Sequence, residues 1–260
     1  MKRVCDDGVV LYRFEGLNDA RELVHAILTR IGGVSQDPYA TLNLGHTVGD
    51  DLAAVKENHR RALGALGLTP GQVVRPSLVH GAHVEVVGRD HVGTVQSKTD
   101  ALVTASPGVP LMMLFGDCMP LVLFDPVQRV AGIAHAGWRG VVAGVAEATV
   151  QTMIEQMGCD PGDVWAGIGP TIGPCCYEVG PDVAAEIEAT SPPGAKVVHR
   201  DNGRIHADLP AAVSAQLRAV GVKQIEDAGL CTACRVDEFF SHRAEHGRTG
   251  RFGTVIGLVE

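Results

Sequence analysis

The run Leu111-Met112-Met113-Leu114-Phe115-Gly116-Asp117-Cys118-Met119-Pro120-Leu121-Val122-Leu123-Phe124, followed by Val130-Ala131-Gly132-Ile133-Ala134-His135-Ala136-Gly137-Trp138-Arg139-Gly140, decides the fold. Residues 111–115, 121–124 and 130–134 are short, apolar on both faces and bounded by Gly, Asp or Pro, the pattern of strands covered on both sides. The Gly137-Trp138-Arg139-Gly140 turn then leads into a helix over about 141–157, and 164–168 return as strand. Working outward, 84–87 and 101–104 read as earlier strands. Pro181 sits in the first turn of a helix with Val183, Ile187 and Glu188, and 209–220 form a helix that tolerates Pro210 near its start. Residues 224–227 and 254–259 close the chain as strands. Toward the N-terminus, Asp50-Asp51 opens a helix through Leu52, Val55, His59, Leu63 and Leu66, closed by Gly67 and Pro70. Asn18 is read as the N-cap of a helix carrying Leu23, Val24, Ile27 and Leu28, stopped by Gly32-Gly33. Between these two, Thr41-Leu42-Asn43-Leu44-Gly45 reads as a strand or an exposed loop. Strands and helices interleave throughout without linker or repeat, so the expectation is one α/β or α+β domain over 1–260.

Composition narrows the function. The 260 residues are 45% apolar and 20% charged, an ordinary globular balance. With 22 Lys+Arg against 30 Asp+Glu the net charge is −8, which argues against a broad nucleic-acid surface and requires any anionic substrate to meet local positive charge. The 32 glycines exceed a usual share of about 7% and cluster beside His, Cys and Pro, as in tight loops around a site. Seven cysteines form no regular disulfide framework, so they read as thiols in a reducing compartment. Residues 1–8 lack an apolar leader core, and no stretch has the length of a membrane span. A cytoplasmic location with no membrane association is expected.

Three segments each place a metal-competent side chain between a strand and a glycine or proline: Val79-His80-Gly81, Gly116-Asp117-Cys118-Met119-Pro120, and His135-Ala136-Gly137. Their spacing is too wide for a zinc finger but natural for ligands gathered from separate elements, as in catalytic zinc sites. Two imidazoles and a thiolate leave a tetrahedral ion one open position, for an acidified water or a polarised substrate oxygen. Singly, a His beside Gly is more often a loop hydrogen-bonder, and a Cys between apolar strands a small core residue. The company raises the odds: Asp117 stands ready to orient a ligand, and Arg139 at a helix start to receive an anion. Cys231-Thr232-Ala233-Cys234 is a CxxC without a partner CxxC, weak support for a zinc ribbon. Adjacent Cys175 and Cys176 lie in a Pro- and Gly-rich loop and read as structural. Phe239-Phe240-Ser241-His242-Arg243 divides evenly between a core edge and a substrate contact.

Taken together, Thr41-Leu42-Asn43-Leu44-Gly45, Val79-His80-Gly81, Asp100-Ala101-Leu102-Val103-Thr104, Gly116-Asp117-Cys118-Met119-Pro120, His135-Ala136-Gly137-Trp138-Arg139-Gly140, Ile172-Gly173-Pro174-Cys175-Cys176-Tyr177-Glu178-Val179-Gly180 and Phe240-Ser241-His242-Arg243 with Thr249-Gly250-Arg251 resemble the bacterial laccase-domain family. Its members have been called multicopper polyphenol oxidoreductases and purine nucleoside phosphorylases. The resemblance implies a four-layer α/β/β/α sandwich with mixed sheets and one metal, usually zinc, on His80, Cys118 and His135. It also implies phosphorolysis of adenosine, inosine, guanosine and methylthioadenosine, and deamination of adenosine. Two positions depart from the family pattern: Leu78 replaces a Gln before Val-His-Gly, and Ser241-His242-Arg243-Ala244 replaces Ser-Tyr-Arg-Arg.

The expected machinery follows. Cys118, His135 and Asp117 are the catalytic candidates, with Zn2+ on His80, Cys118 and His135 and Cu2+ as a possible substitute. Asn43, Arg139 and Arg243 are the candidates for binding purine nucleoside and phosphate, in a monomer or small homo-oligomer. Two further classes stay open. A copper-dependent polyphenol oxidase would use the same His2Cys set with a nearby Met such as Met112, Met113 or Met119, although none of the eleven histidines forms the H-x-H pairs of multicopper oxidases. A cysteine-type hydrolase would use Cys118 as nucleophile and His135 as base, a chemistry suited to editing peptidoglycan precursors. A non-enzymatic zinc module would instead close the site with a fourth ligand, His83 or Cys175.

Overall fold

A computed structural model describes residues 1–259. The chain runs β1 (Lys2–Asp6), β2 (Val9–Arg13), β3 (Leu23–Leu28), α1 (Leu52–Gly64), β4 (Arg75–Ser77), β5 (Val84–Val86), β6 (Val95–Ser97), β7 (Ala101–Thr104) and β8 (Leu111–Phe115). It continues through β9 (Met119–Asp125), β10 (Val130–Ala136), α2 (Trp138–Val142), α3 (Val145–Met157), β11 (Trp165–Ile168), α4 (Pro181–Thr190), β12 (Val198–Asp201), β13 (Arg204–Ala207), α5 (Leu209–Ala219), β14 (Gln224–Asp227) and β15 (Phe252–Leu258). The result is a mixed α/β protein. One five-stranded sheet has the order β1-β2-β3-β15-β8 and one six-stranded sheet the order β14-β11-β9-β10-β7-β5, with two small two-stranded sheets besides.

Side-chain alternation along the strands assigns the packing. In β9, Leu121 and Leu123 face α3 and α5 in one apolar cluster, while Val122 and Phe124 face the five-stranded sheet in another. In β10, Ala134 and Ala136 take the first side and Ala131 and Ile133 the second. A third cluster joins Leu11, Ala26, Leu28 and Val255 to Ala62 and Leu63 of α1. Both central strands are buried along their whole length, which is why their sequences carry no polar face. Each fully buried Phe or Leu in these clusters stabilises the fold by about 1.5–3 kcal/mol.

Three local expectations are corrected. Residues 23–28 form strand β3, not a helix beginning at Asn18. Leu23 and Ile27 face the inter-sheet cluster and Ala26 and Leu28 the α1 cluster, so a run apolar at every position but His25 had no helical stripe to read, and pairing with β2 and β15 decided it. The helix expected over 141–157 is broken at Gly144, whose φ of 76° is left-handed; five-residue α2 and thirteen-residue α3 result. The 41–45 segment is neither strand nor exposed, for Leu42, Asn43 and Leu44 are buried and Leu44 N–H bonds the Arg251 carbonyl at 3.0 Å. The expected α1, α4 and α5 form where their caps and prolines place them. Among the described residues no helix is long and apolar enough to cross a membrane.

Candidate active site

The β9–β10 register sets His135 opposite Pro120 and Ala136 opposite Met119, which brings the end of β10 beside Cys118. His135 shares the parity of Ala131 and Ile133, so its ring points between the sheets and stacks on Phe115 of β8 at 5.4 Å between centroids. His80 arrives from the loop after β4 with its ring edge-on to His135 at 5.0 Å. The ligating atoms of His80, Cys118 and His135 lie within 4.8 Å of one another.

Asp100, fully buried before β7, holds this convergence. Its carboxylate accepts N–H groups from Val79 at 3.1 Å, His80 at 2.7 Å and Gly81 at 2.8 Å, fixing His80 in a left-handed conformation with φ of 61°. Its carbonyl accepts the His135 N–H at 2.8 Å. One residue therefore sets both imidazoles, yet in the sequence it stands only as the first residue of the Asp100-Ala101-Leu102-Val103-Thr104 motif, with no role assigned. Gly137 completes the cradle, because a Cβ there would stand 3.0 Å from Cys118 Sγ.

Burial dominates the electrostatics of this cluster. Burial, helped by the Asp117 charge, pushes the Cys118 thiol up to about 11. Burial, with His80 adding to it, lowers His135 to about 4, so its ring is neutral at physiological pH. His135 Nδ1 is buried without a hydrogen-bond partner, a costly condition for a polar atom and one that a metal ion relieves. Two imidazoles and a thiol around an orphaned ring nitrogen fit a borderline-soft divalent ion. His83 pairs with Glu85 at 3.4 Å and Cys175 lies in another cluster, so neither closes the set.

The cluster forms one wall of a cavity of about 390 Å³, within the usual roughly 300–1,000 Å³ of small-molecule sites. Leu78, Leu114, Trp138, Ile172, Tyr177 and Leu209 give it apolar surface, and Arg139, Arg243 and Arg251 give it positive charge. Arg139 stacks on Trp138 at 4.3 Å and Arg243 lies over Tyr177 at 5.2 Å. Arg243 donates to the Glu178 carbonyl and Arg251 to the Gly250 carbonyl. Among the described residues none of the three is ion-paired to a carboxylate, so their charge is available to an anion. Arg251 went unassigned in the sequence; it is largely buried and packs on Gly116, where a Cβ would meet its Cδ at 3.1 Å. Burial pushes the Tyr177 phenol up to about 12, leaving it a neutral donor.

Of the other candidates, Asp117 is part of the wall and Asn43 lies behind it. Asp117 Oδ1 accepts the Thr232 hydroxyl at 2.6 Å and Oδ2 the Arg243 N–H at 2.7 Å, so its carboxylate ties two loops to Cys118. Asn43 does not line the cavity. Its amide donates to Asp50 at 2.8 Å and its oxygen accepts the Arg251 and Gly45 N–H groups, each at 2.8 Å. The helix start expected to aid Arg139 belongs to the five-residue α2, too short for much dipole, so the guanidinium groups carry the positive field.

A mixed α/β fold with a His2Cys set on an arginine-lined cavity defines a class of enzyme-like, metal-competent small-molecule proteins. The chain belongs to the family described as multi-copper polyphenol oxidoreductase laccase, whose model matches residues 24–259. It is 43% identical over 234 residues to a purine nucleoside phosphorylase of Deinococcus radiodurans, covering 90% of this chain and 88% of that one. It is 37% identical over 248 residues to the purine nucleoside phosphorylase YlmD of Geobacillus stearothermophilus. The crystal structure of YlmD superposes with a TM-score of 0.92 at 34% identity, covering 97% of both chains.

Proposed function

We propose that the chain is a metal-dependent purine nucleoside phosphorylase, with zinc held by His80, Cys118 and His135 and copper as an occasional substitute. The observation that carries this is the meeting of those three ligands, one with an orphaned ring nitrogen, on the wall of a cavity with three unpaired arginines. The names of the relatives agree with it. The three apolar clusters support the four-layer α/β/β/α arrangement in a single domain.

Zinc bound there supplies Lewis-acid polarisation and an acidified water. The chain's own residues do the rest. Arg139, Arg243 and Arg251 bind phosphate, because the planar guanidinium donates in pairs to phosphate oxygens. Trp138, Tyr177 and Leu78 pack against the purine, and the neutral Tyr177 phenol donates to it. A phosphate oxygen forms a bond to the ribose C1′ while the C1′–N9 bond breaks; the base takes the electron pair and then a proton. Adenosine, inosine, guanosine and methylthioadenosine all offer this bond. Hydrolytic deamination of adenosine is a second outcome of the same cavity, with water attacking C6. Asp117 positions Cys118, and Asn43 positions Arg251.

The cysteine hydrolase reading has less behind it, since a nucleophilic Cys needs a lowered thiol pKa and burial drives that of Cys118 upward. The deciding experiment follows adenosine turnover with and without phosphate on metal-replete protein. Phosphate-dependent release of adenine and ribose 1-phosphate, lost in Cys118→Ala, is the expected result. Full activity in that variant, or activity surviving exhaustive chelation, would refute the site.

A further inference from the structure

Four of the remaining cysteines converge at a place far from strand ends. Cys175 and Cys176 occupy the turn after β11, Cys231 and Cys234 the segment after β14, and the four Sγ atoms lie within 4.8 Å of one another. Cys234 Sγ is 3.5 Å from Cys175 Sγ and 3.4 Å from Cys176 Sγ. A disulfide would need about 2.05 Å. A single tetrahedral ion with metal–sulfur bonds of about 2.3 Å holds its sulfurs about 3.8 Å apart, a few tenths of an ångström longer than these two contacts and inside the 4.8 Å that spans all four.

The backbone explains how adjacent cysteines share one centre. On a strand successive side chains diverge to opposite faces, but here the Cys176 and Tyr177 N–H groups both donate to the Gly173 carbonyl at 2.9 Å. The chain curls, and both thiols reach Cys234. The Gly173 N–H donates to Cys231 Sγ at 3.2 Å, a bond that favours thiolate. A Cβ at Gly173 would stand 3.3 Å from Cys231 Cβ and 3.4 Å from Cys175 Sγ. The two segments are joined by Thr171 N–H to Leu230 O at 3.1 Å and Thr232 N–H to Thr171 O at 3.0 Å, so the thiols are held in place by main-chain bonds.

We propose that Cys175, Cys176, Cys231 and Cys234 form a second metal site, a tetrathiolate for one zinc ion, distinct from the cavity. Zinc binds as each protonated thiol releases its proton, and no redox partner is needed. Four protein ligands close the coordination sphere, so the site is structural. It clamps together two segments that build the cavity wall, one carrying Tyr177 and the other carrying Thr232, which bonds Asp117.

The test uses the Cys118→Ala chain, purified anaerobically with zinc and then dialysed. One zinc per chain should remain, and cobalt exchange should give the intense visible and near-ultraviolet bands of sulfur-rich tetrahedral coordination. Adding Cys234→Ser should abolish both. In peptide mapping with iodoacetamide, the four cysteines should resist alkylation until a chelator is added, whereas exposed Cys5 reacts throughout. Wild-type protein supplies the same answer should Cys118→Ala fold poorly: two zinc ions per chain, falling to one in Cys234→Ser. A zinc-free Cys118→Ala chain, or four cysteines alkylated as fast as Cys5 in zinc-loaded protein, would overturn the proposal. Loss of adenosine phosphorolysis with both zinc ions retained would instead count against the proposed activity alone.

Discussion

Two sulfur-bearing clusters flank the same loops and are built on opposite principles. The His80, Cys118 and His135 set lies where β9 begins and β10 ends, between the two sheets, with His135 buried and its Nδ1 unpartnered. The four cysteines lie on surface turns, two of them exposed, with main-chain bonds doing the positioning. The first offers mixed donors, a vacancy and a cavity; the second offers four like donors and no room for a substrate. Open and closed coordination divide catalytic from structural zinc in general, and the two proposed assignments place one of each about one pair of loops.

Breaking the first cluster should have the largest effect. Cys118→Ala is expected to lower phosphate-dependent adenine release by about 10³-fold, several kcal/mol of transition-state stabilisation, while Cys234→Ser leaves kcat within about twofold. Steady-state kinetics on both variants checks the contrast, and equal losses would erase it. Asp100→Ala comes next. It strands three N–H groups around His80 in a partly buried loop and should cost about 3 kcal/mol of folding stability, measured by urea unfolding. Metal affinity at the cavity should fall with it, and the four-cysteine site should keep its zinc.

The two clusters also differ in how far the sequence exposes them. His80, Cys118 and His135 each lie at a strand end within two residues of Gly or Pro, so strand-end logic selected them; Arg139 came with the His135 loop, and Arg243 with the separate Phe239-Phe240-Ser241-His242-Arg243 segment. Asp100 and Arg251 stood in the quoted motifs without a role, because the bonds that place them, from the N–H groups of residues 79–81 to Asp100 and from the Arg251 N–H to Asn43, span long stretches of chain. The four-cysteine cluster escaped for another reason: the missing partner of Cys231-Thr232-Ala233-Cys234 is a vicinal pair, and only a turn makes such a pair converge. At the level of the fold, strands apolar on both faces around Leu121 and Ile133 were readable, whereas β3 was not, since Leu23-Val24-His25-Ala26-Ile27-Leu28 suits a buried helix as well as a buried strand. The N-terminal β1 and β2 gave no signal strong enough to reveal that error.

Acid separates the interior from the surface turns by a smaller margin. Burial lowers His25 and His59 to about 4 from an ordinary 6.5, so both are neutral in the folded chain. Protons then bind the unfolded chain better between those limits. Their contribution is complete above pH 6.5 and is lost as the pH falls toward 4, about 3 kcal/mol for each histidine, of which about 2 kcal/mol falls between pH 7 and pH 5. Urea unfolding at pH 7 and pH 5 should show the loss, and His59→Gln should flatten the slope. Compared zinc-free with the zinc-free wild type, Cys234→Ser, which removes no buried imidazole, should keep the wild-type slope.

The smallest expected effect concerns arginines. Arg139 in the cavity rests on Trp138 and faces no carboxylate partner, so its charge is free to be spent on a ligand anion. Arg235 beside the cysteines is already engaged, 2.6 Å from the buried Glu238 and 3.8 Å from Asp237, so its charge is committed to carboxylates. Arg139→Ala should therefore raise the KM for phosphate about tenfold, equivalent to about 1.4 kcal/mol of binding, with a smaller change in the KM for adenosine. Arg235→Ala should leave both unchanged. Phosphate titrations at low and high ionic strength check the reason as well as the size, because added salt should weaken phosphate binding in the wild type more than in Arg139→Ala. Equal KM values for phosphate in the two variants would mean that Arg243 and Arg251 alone hold the anion, and that the exposed rim of the cavity is as passive as the surface around the cysteines.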